Sequence, residues 1–429
     1  MFFQNQKHNA DEVYGMQREL PLNYVERENV DQKLIENLNK NRHIVIYGSS
    51  KQGKTSLKKS CLKSEQYINI QCSNNWKLID IHLAILKKAG YQTTQSVKKT
   101  ASGKQKIMAS FEGAINLFGI GNKGTISGDT ERGKSTETTL ENIELDAEDV
   151  NDIITSLQTI KFQKYIVLED FHYLNTDTQK DFAVALKAFH EASDFGFIII
   201  GVWLEENRLI VYNGDLAGRV IAIDADNWTH KDLTEVINKG AKLLNIGFTD
   251  HFIKTLIRES FYSVYIVQEV CNKACHQEQV KETQNTHRVL GTKLFVHELV
   301  KSVINQQNGR YLSFITKFSE GFQGTRLGMY KWLLYPVLTV TLDELQKGLP
   351  YARIREILQL HHPEGKKLNP GNLTQSLHST ASLQVKKDIK PIILDYDQTN
   401  RRLNVVDRGF LIWLAHQNKA ELLDLVEFN

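Results

Sequence analysis

The run His43-Ile44-Val45-Ile46-Tyr47 breaks abruptly into Gly48-Ser49-Ser50-Lys51-Gln52-Gly53-Lys54-Thr55-Ser56. An apolar, β-branched strand followed by Gly-x-x-x-x-Gly-Lys-Thr constrains everything around it. The strand must be buried, and its carboxyl end must open into a loop that feeds a helix. Gly48 and Gly53 permit backbone conformations and close approaches that a Cβ would obstruct. In such a loop the backbone N–H groups of residues 48–56 and the helix N-terminus face a phosphate, Lys54 reaches the β/γ oxygens, and the Thr55 hydroxyl ligates Mg²⁺. ATP and Mg²⁺ are therefore the expected ligands.

A second stretch carries complementary chemistry. Lys164-Tyr165-Ile166-Val167-Leu168-Glu169-Asp170 is a fully apolar strand ending in two carboxylates, 110 residues or so beyond the loop. One acid at such a strand end helps hold Mg²⁺ and the other orients the attacking water in phosphoryl transfer. Glu169 and Asp170 are assigned as a catalytic and metal-binding pair, with their roles undivided.

At 429 residues the chain is long enough for two or three domains. Its 53 basic against 50 acidic residues give a formal charge of +3, which neither demands nor excludes a nucleic-acid partner. Four cysteines are too few for a disulfide scaffold. Cys271-x-x-x-Cys275-His276 fits one helix face and reads as core packing rather than a metal site. The first residues show no basic-plus-apolar signal pattern and no run suits a membrane span, so a cytoplasmic protein without a membrane partner is expected.

Residues 1–22 read as an N-terminal arm. Residues 23–228 form the expected nucleotide-binding core, interrupted by a Lys-, Gly-, Ser- and Thr-rich insertion over 91–142 with one apolar patch, Ile115–Ile120, which reads as a flexible loop, with a hairpin or a partner-binding element as alternatives. Asp146 is a plausible N-cap for a helix through Ile160. Phe195–Trp203 is a further buried strand. Residues 229–309 carry helical periodicity and suit a small lid with a linker. Residues 310–429 read as three helices followed by a hairpin, Pro391–Asp397 and Leu403–Asp407, turning at Gln398-Thr399-Asn400.

Taken together, these motifs resemble the AAA+ and STAND classes of P-loop ATPase. The Tyr24-Val25-Glu26-Arg27-Glu28 box looks like the "F-V-G-R-E" box that packs beside adenine, with Glu26 in place of the glycine. Val167-Leu168-Glu169-Asp170-Phe171-His172 looks like the "V-L-D-D-Y-H" Walker B of STAND ATPases, with Glu first. Leu216-Ala217-Gly218-Arg219-Val220 resembles the arginine-bearing segment of MuB-, TniB- and ExeA-like ATPases. The resemblance implies an α/β P-loop NTPase core with a parallel sheet, a helical lid and a C-terminal winged-helix domain.

It also implies a trans arginine finger at Arg219, set against the simpler reading of a surface arginine at a strand edge. A polar sensor is implied after Phe195–Trp203, where Trp203 cannot serve and Glu205, Glu206 and Asn207 are the candidates. Arg258 is the nearest candidate for a second sensor. The implied function is an ATP-hydrolysing switch that forms homo-oligomers and controls a protein effector, as in bacterial defence and signalling ATPases. The alternative is a DNA-associated ATPase of the origin-recognition or transposition-regulator type, using Lys366, Lys367, Lys386, Lys387, Lys390, Arg401 and Arg402 within 366–402 as DNA contacts.

Overall fold

The computed structural model describes residues 7–99, 105–114 and 138–428. After the short helix α1 (Ala10–Tyr14), one turn of π-helix (Glu28–Gln32) and α2 (Lys33–Leu38), the chain enters β1 (His43–Tyr47). The strand is followed by α3 (Lys54–Cys61), β2 (Tyr67–Gln71) and α4 (Leu78–Ala89).

The described residues of the 91–142 insertion are largely strand, as its hairpin alternative has it, rather than loop. β3 (Gln92–Lys99), β4 (Gln105–Ala114) and β5 (Thr138–Asp146) pair antiparallel in a separate sheet. Their Thr, Lys and Glu content hid this, because the pairing is backbone chemistry and no apolar alternation announces it. The Ile115–Ile120 patch lies outside the described residues. Because β5 runs through Asp146, the next helix starts later than expected: α5 (Val150–Thr159) is capped by Asp149, whose carboxylate accepts from the Asn151 N–H.

The chain then supplies β6 (Tyr165–Glu169), α6 (Thr176–Ala192), β7 (Phe197–Ile200), α7 (Arg208–Tyr212) and β8 (Val220–Asp224). The central sheet is parallel throughout, ordered β2-β6-β7-β1-β8. Ile44 and Ile46 register against Ile198 and Ile200 on one side and Ile221 and Ile223 on the other. Both faces are covered. Val45, Ile70 and Leu168 pack with Phe182 and Leu186 of α6, while Ile44, Ile46 and Val167 pack with Leu34 and Leu57 on the opposite face. Burial on both faces explains the unbroken apolar runs of β1, β6 and β7. The carboxyl ends of β1 and β6 emerge at the same sheet edge, the usual position for a ligand in an open α/β sheet.

The helical remainder begins with α8 (His230–Leu243), β9 (Ile246–Phe248), α9 (Asp250–Glu259), α10 (Val264–Gln277), β10 (Arg288–Leu290) and α11 (Val296–Asn305). Thr229, Thr249 and Ser263 cap α8, α9 and α10 through side-chain oxygens. The chain continues through α12 (Asn308–Glu320), α13 (Met329–Thr339), α14 (Leu342–Gln346), β11 (Leu349–Pro350), α15 (Tyr351–His361), α16 (Pro370–His378) and α17 (Thr380–Lys386). The hairpin β12 (Leu394–Asp397) and β13 (Arg402–Val405), then α18 (Arg408–Ala415) and α19 (Lys419–Leu425), complete it. Before the hairpin the described chain holds more than the three helices expected, and β11 joins the hairpin in a three-stranded sheet ordered β11-β13-β12.

One apolar core runs without a break from α8 to α19. The N-terminal segment belongs to it: Ala10, Val13 and Tyr14 are buried, and the Tyr14 hydroxyl donates to the Ile237 carbonyl at 2.6 Å. No helix among the described residues is long and apolar enough to cross a membrane.

The hairpin is docked on the sheet-containing half. Arg208 pairs with Asp395, and Glu205 accepts from the backbone N–H and hydroxyl of Thr399 at 3.2 and 2.7 Å. Val202 packs with Val385, Ile392 and Val406.

Candidate nucleotide site

The loop after β1 is shaped by two glycines and one carboxylate. Gly48 has φ +141°, and a Cβ there would come within 2.7 Å of Asp226 Oδ1. Gly53 has φ +83° and begins α3 without a side-chain cap, so the first-turn N–H groups of α3 are left for an anion. Asp226, just past β8, accepts from the Ser49 N–H at 2.7 Å and from its hydroxyl at 2.5 Å. Trp228 donates from its indole N–H to the Gln52 carbonyl at 3.3 Å and is itself covered by Arg27.

Lys54 is buried and folded onto the loop, with Nζ donating to the carbonyls of Gly48 and Ser49 at 2.9 and 2.5 Å. Burial pushes its ammonium down to about 8, against the pull of Asp226, Asp170 and Asp224. The loop borders a cavity of about 420 Å³. Ser50, Lys51, Gln52, Gly53, Lys54, Thr55 and Ser56 line it from one side and Glu169 and Asp170 from another. Tyr265 and Gln268 of α10 contribute a third wall, and residues 15–21 a fourth.

That last wall differs from expectation. The Tyr24–Glu28 box does not line the cavity. Arg27 is buried instead, donating to the Ala225 carbonyl at 2.8 Å, and the segment from Gly15 to Pro21 borders the cavity.

The two acids at the end of β6 have different surroundings. Glu169 forms an ion pair with Lys58 of α3. Asp170, in a left-handed conformation at φ +55°, accepts a hydrogen bond from the Gln71 amide at the end of β2. Burial pushes the Asp170 carboxyl up, opposed by the Gln71 hydrogen bond and by the charges of Lys54 and Lys390. Two carboxylates, a threonine hydroxyl and a buried ammonium suit a nucleotide phosphate with a divalent cation, which takes few ligands from protein in such sites. Among the described residues no group of three or more His, Cys, Asp or Glu could hold a metal ion alone.

The remaining candidates lie elsewhere. Trp203 is fully buried, and its own backbone pairs with Gly48 in a β-bridge. Glu205 turns to Arg208 and Thr399, and none of Glu205, Glu206 and Asn207 borders the cavity. Arg258 is exposed beside Glu259. Arg219 stands at the amino end of β8, opposite the sheet edge that carries the cavity, donating to Glu191 Oε1 at 2.8 Å and to the Asp215 carbonyl. It lies near a wider open cleft of about 940 Å³ bordered by His43 and Glu191, which lacks a phosphate-binding loop. Cys271 and Cys275 are buried core residues.

Of the cations proposed for DNA, one meets an acid and most stay exposed. Lys387 pairs with Glu320 at 2.7 Å, and Arg402 donates to the Gly348 carbonyl at 2.8 Å. Lys386, Lys390 and Arg401 lie over Phe322, Tyr173 and Tyr351. Lys366 and Lys367 are exposed.

Four residues escaped the sequence reading. Lys58 and Gln71 each hold one of the paired acids, and Asp226 and Arg408 bind each other behind the loop. Arg408 Nη2 lies 3.2 Å from Asp226 Oδ2, and the adjacent Val406 carbonyl accepts the Ser50 N–H at 2.8 Å.

No protein-family model matches the sequence, and no curated protein matches it. Solved structures similar to the chain include a Walker-type ATPase of Pyrococcus abyssi, at 12% identity over 94% of this chain and 99% of that one with a TM-score of 0.48. The ORC1 protein of Aeropyrum pernix in complex with DNA is similar at 10% identity over 98% and 100% of the two chains, with a TM-score of 0.44. The RuvB Holliday junction branch migration motor of Thermotoga maritima is similar at 12% identity over 92% and 96%, with a TM-score of 0.35.

Proposed function

We propose that the protein is an ATP-binding and ATP-hydrolysing switch whose C-terminal segment responds to the nucleotide. The observation that carries this reading is the hydrogen bond from Ser50 N–H to the Val406 carbonyl at 2.8 Å. It joins the phosphate-binding loop directly to the chain leaving β13. A ligand that rearranges the loop must keep or break that contact, and a difference in affinity between the two arrangements is what a switch requires.

Lys54 and the α3 N-terminus would hold the phosphates, with Thr55 and the acids at the end of β6 beside the metal. Mg²⁺ when bound neutralises phosphate charge and orients the transferring group. A carboxylate of that pair would orient the attacking water. Arg219, remote from its own cavity, would serve a neighbouring copy, so turnover would need a homo-oligomer. An effector activity would come from a partner protein. Engagement of the hairpin turn by Glu205 favours this reading over DNA loading through that hairpin.

The test is mass-resolved chromatography of the protein with ATP–Mg²⁺ and with ADP, each with and without a DNA duplex, alongside phosphate release. Hydrolysis with a larger species in ATP alone supports the proposal. Assembly only with DNA transfers it to the DNA-loading alternative, and absence of nucleotide binding removes both.

A further inference from the structure

We infer that Lys58 withdraws Glu169 from the metal-handling set, so that Asp170 alone supplies the working carboxylate; this rests on the nucleotide-site reading above. Lys58 lies one helical turn beyond Lys54, on the face of α3 turned to the sheet. Its side chain is only 3% exposed and that of Glu169 14%. Besides the ion pair, the ammonium donates to Asn69 Oδ1 at 2.8 Å and lies 4.7 Å from the Tyr67 ring centroid. Glu169, Asn69 and the Tyr67 ring thus form a cage from β6 and β2 around one cation. A buried pair of this kind resists separation, because parting the charges leaves each uncompensated in a poorly solvated place.

Asp170 is held differently. Its partner is the neutral amide of Gln71, which orients the carboxylate without cancelling its charge. Among the described residues Asp170 is the acid of the pair without an ion-pair partner, and a cation beside Thr55 would be drawn to it. Lys58 is a positioning residue in this account: it sets which of two adjacent acids meets the metal.

The experiment is titration of Mg²⁺ against binding of a fluorescent, non-hydrolysable ATP analogue to the full chain. It compares the parent protein with Glu169→Gln, Asp170→Asn and Lys58→Met, and adds thermal melts of each and of the Lys58→Met/Glu169→Gln double variant. Asp170→Asn is expected to raise the Mg²⁺ midpoint by about tenfold or more, and Glu169→Gln to shift it by less than about threefold, the scale of one lost charged ligand. Lys58→Met should lower the midpoint by freeing a second carboxylate, and should lower the melting temperature, which Glu169→Gln in the same background should restore.

A merely structural Lys58 would lower the melting temperature and leave the Mg²⁺ midpoint in place, which overturns the inference. A midpoint that moves with Glu169→Gln as far as with Asp170→Asn, or further, also overturns it, even if Lys58→Met fails to fold. Failure of the parent protein to bind the analogue at all is distinct from these outcomes and overturns the site reading itself.

Discussion

Arg408 and Asp226 meet directly behind the phosphate-binding loop, Nη2 to Oδ2 at 3.2 Å, while Arg408 Nη1 donates to the Phe261 carbonyl at 2.6 Å. Asp226 in turn fixes Ser49 through two hydrogen bonds. One guanidinium thus ties α18 both to the turn between α9 and α10 and to the loop expected to hold phosphate. Arg408→Ala should cost about 1.5–3 kcal/mol, the range for hydrogen bonds to charged groups. Denaturant melts should show that loss together with faster nucleotide dissociation. Arg408→Lys should not restore it, because an ammonium lacks the planar fork that reaches both partners.

The hairpin is fastened by a second, more deeply buried group. Arg208 and Asp395 are paired with side chains 7% and 3% exposed, and burial pushes the Glu205 carboxyl beside them up. Arg208→Met leaves those carboxylates without their cation and should destabilise by about 3–5 kcal/mol. Thr399→Ala, removing one hydroxyl bonded to Glu205, should cost about 1 kcal/mol. Equal losses in the two melts would contradict the assignment of Arg208 as the centre of the group.

Lys54 predicts a pH dependence. Its ammonium, at about 8 rather than its usual 10.5, is charged below pH 8. Phosphate binds the charged form, so affinity for ATP should be level below pH 8. It should then weaken by up to about tenfold per pH unit above that, until the value of the complex is reached. For folding the sign is opposite: the cost of burying the charge is full below pH 8 and is relieved as pH rises from 8 towards 10.5. Calorimetric titrations from pH 6.5 to 9.5 check the first effect. Lys54→Ala should abolish nucleotide binding at every pH.

Gly48→Ala should be damaging for two separable reasons. The backbone there has φ +141°, and the new Cβ would meet Asp226 Oδ1 at 2.7 Å. Strain of this kind costs about 1–3 kcal/mol, and displacing Asp226 frees Ser49. The variant should melt earlier and bind ATP weakly, as read by thermal melts and nucleotide titration. A variant that binds normally would show that Asp226 does not shape the loop.

The sheet and its ligand edge were legible because burial on both faces forces continuous apolar runs in β1, β6 and β7, and those runs end in the residues that face the cavity. β3, β4 and β5 were not legible, because their polar residues satisfy backbone pairing without an apolar pattern. The site was legible only where one segment carries its own chemistry, as in residues 48–56. Lys58, Gln71, Asp226 and Arg408 act through partners between about 99 and 182 residues away, and no local pattern records such pairs. Glu205, placed by order along the chain beside the nucleotide, was claimed by Thr399 of the hairpin, a contact made 194 residues away.

The contact between Ser50 and Val406 is the place to test the coupling of nucleotide to fold. Hydrogen exchange should be followed over residues 47–56 and 403–410 with ADP and with Mg²⁺ and a non-hydrolysable ATP analogue, both at saturation. A switch working through this contact predicts faster exchange at 403–410 with the triphosphate than with the diphosphate. Equal exchange in the two nucleotides, with binding of both confirmed, would contradict it.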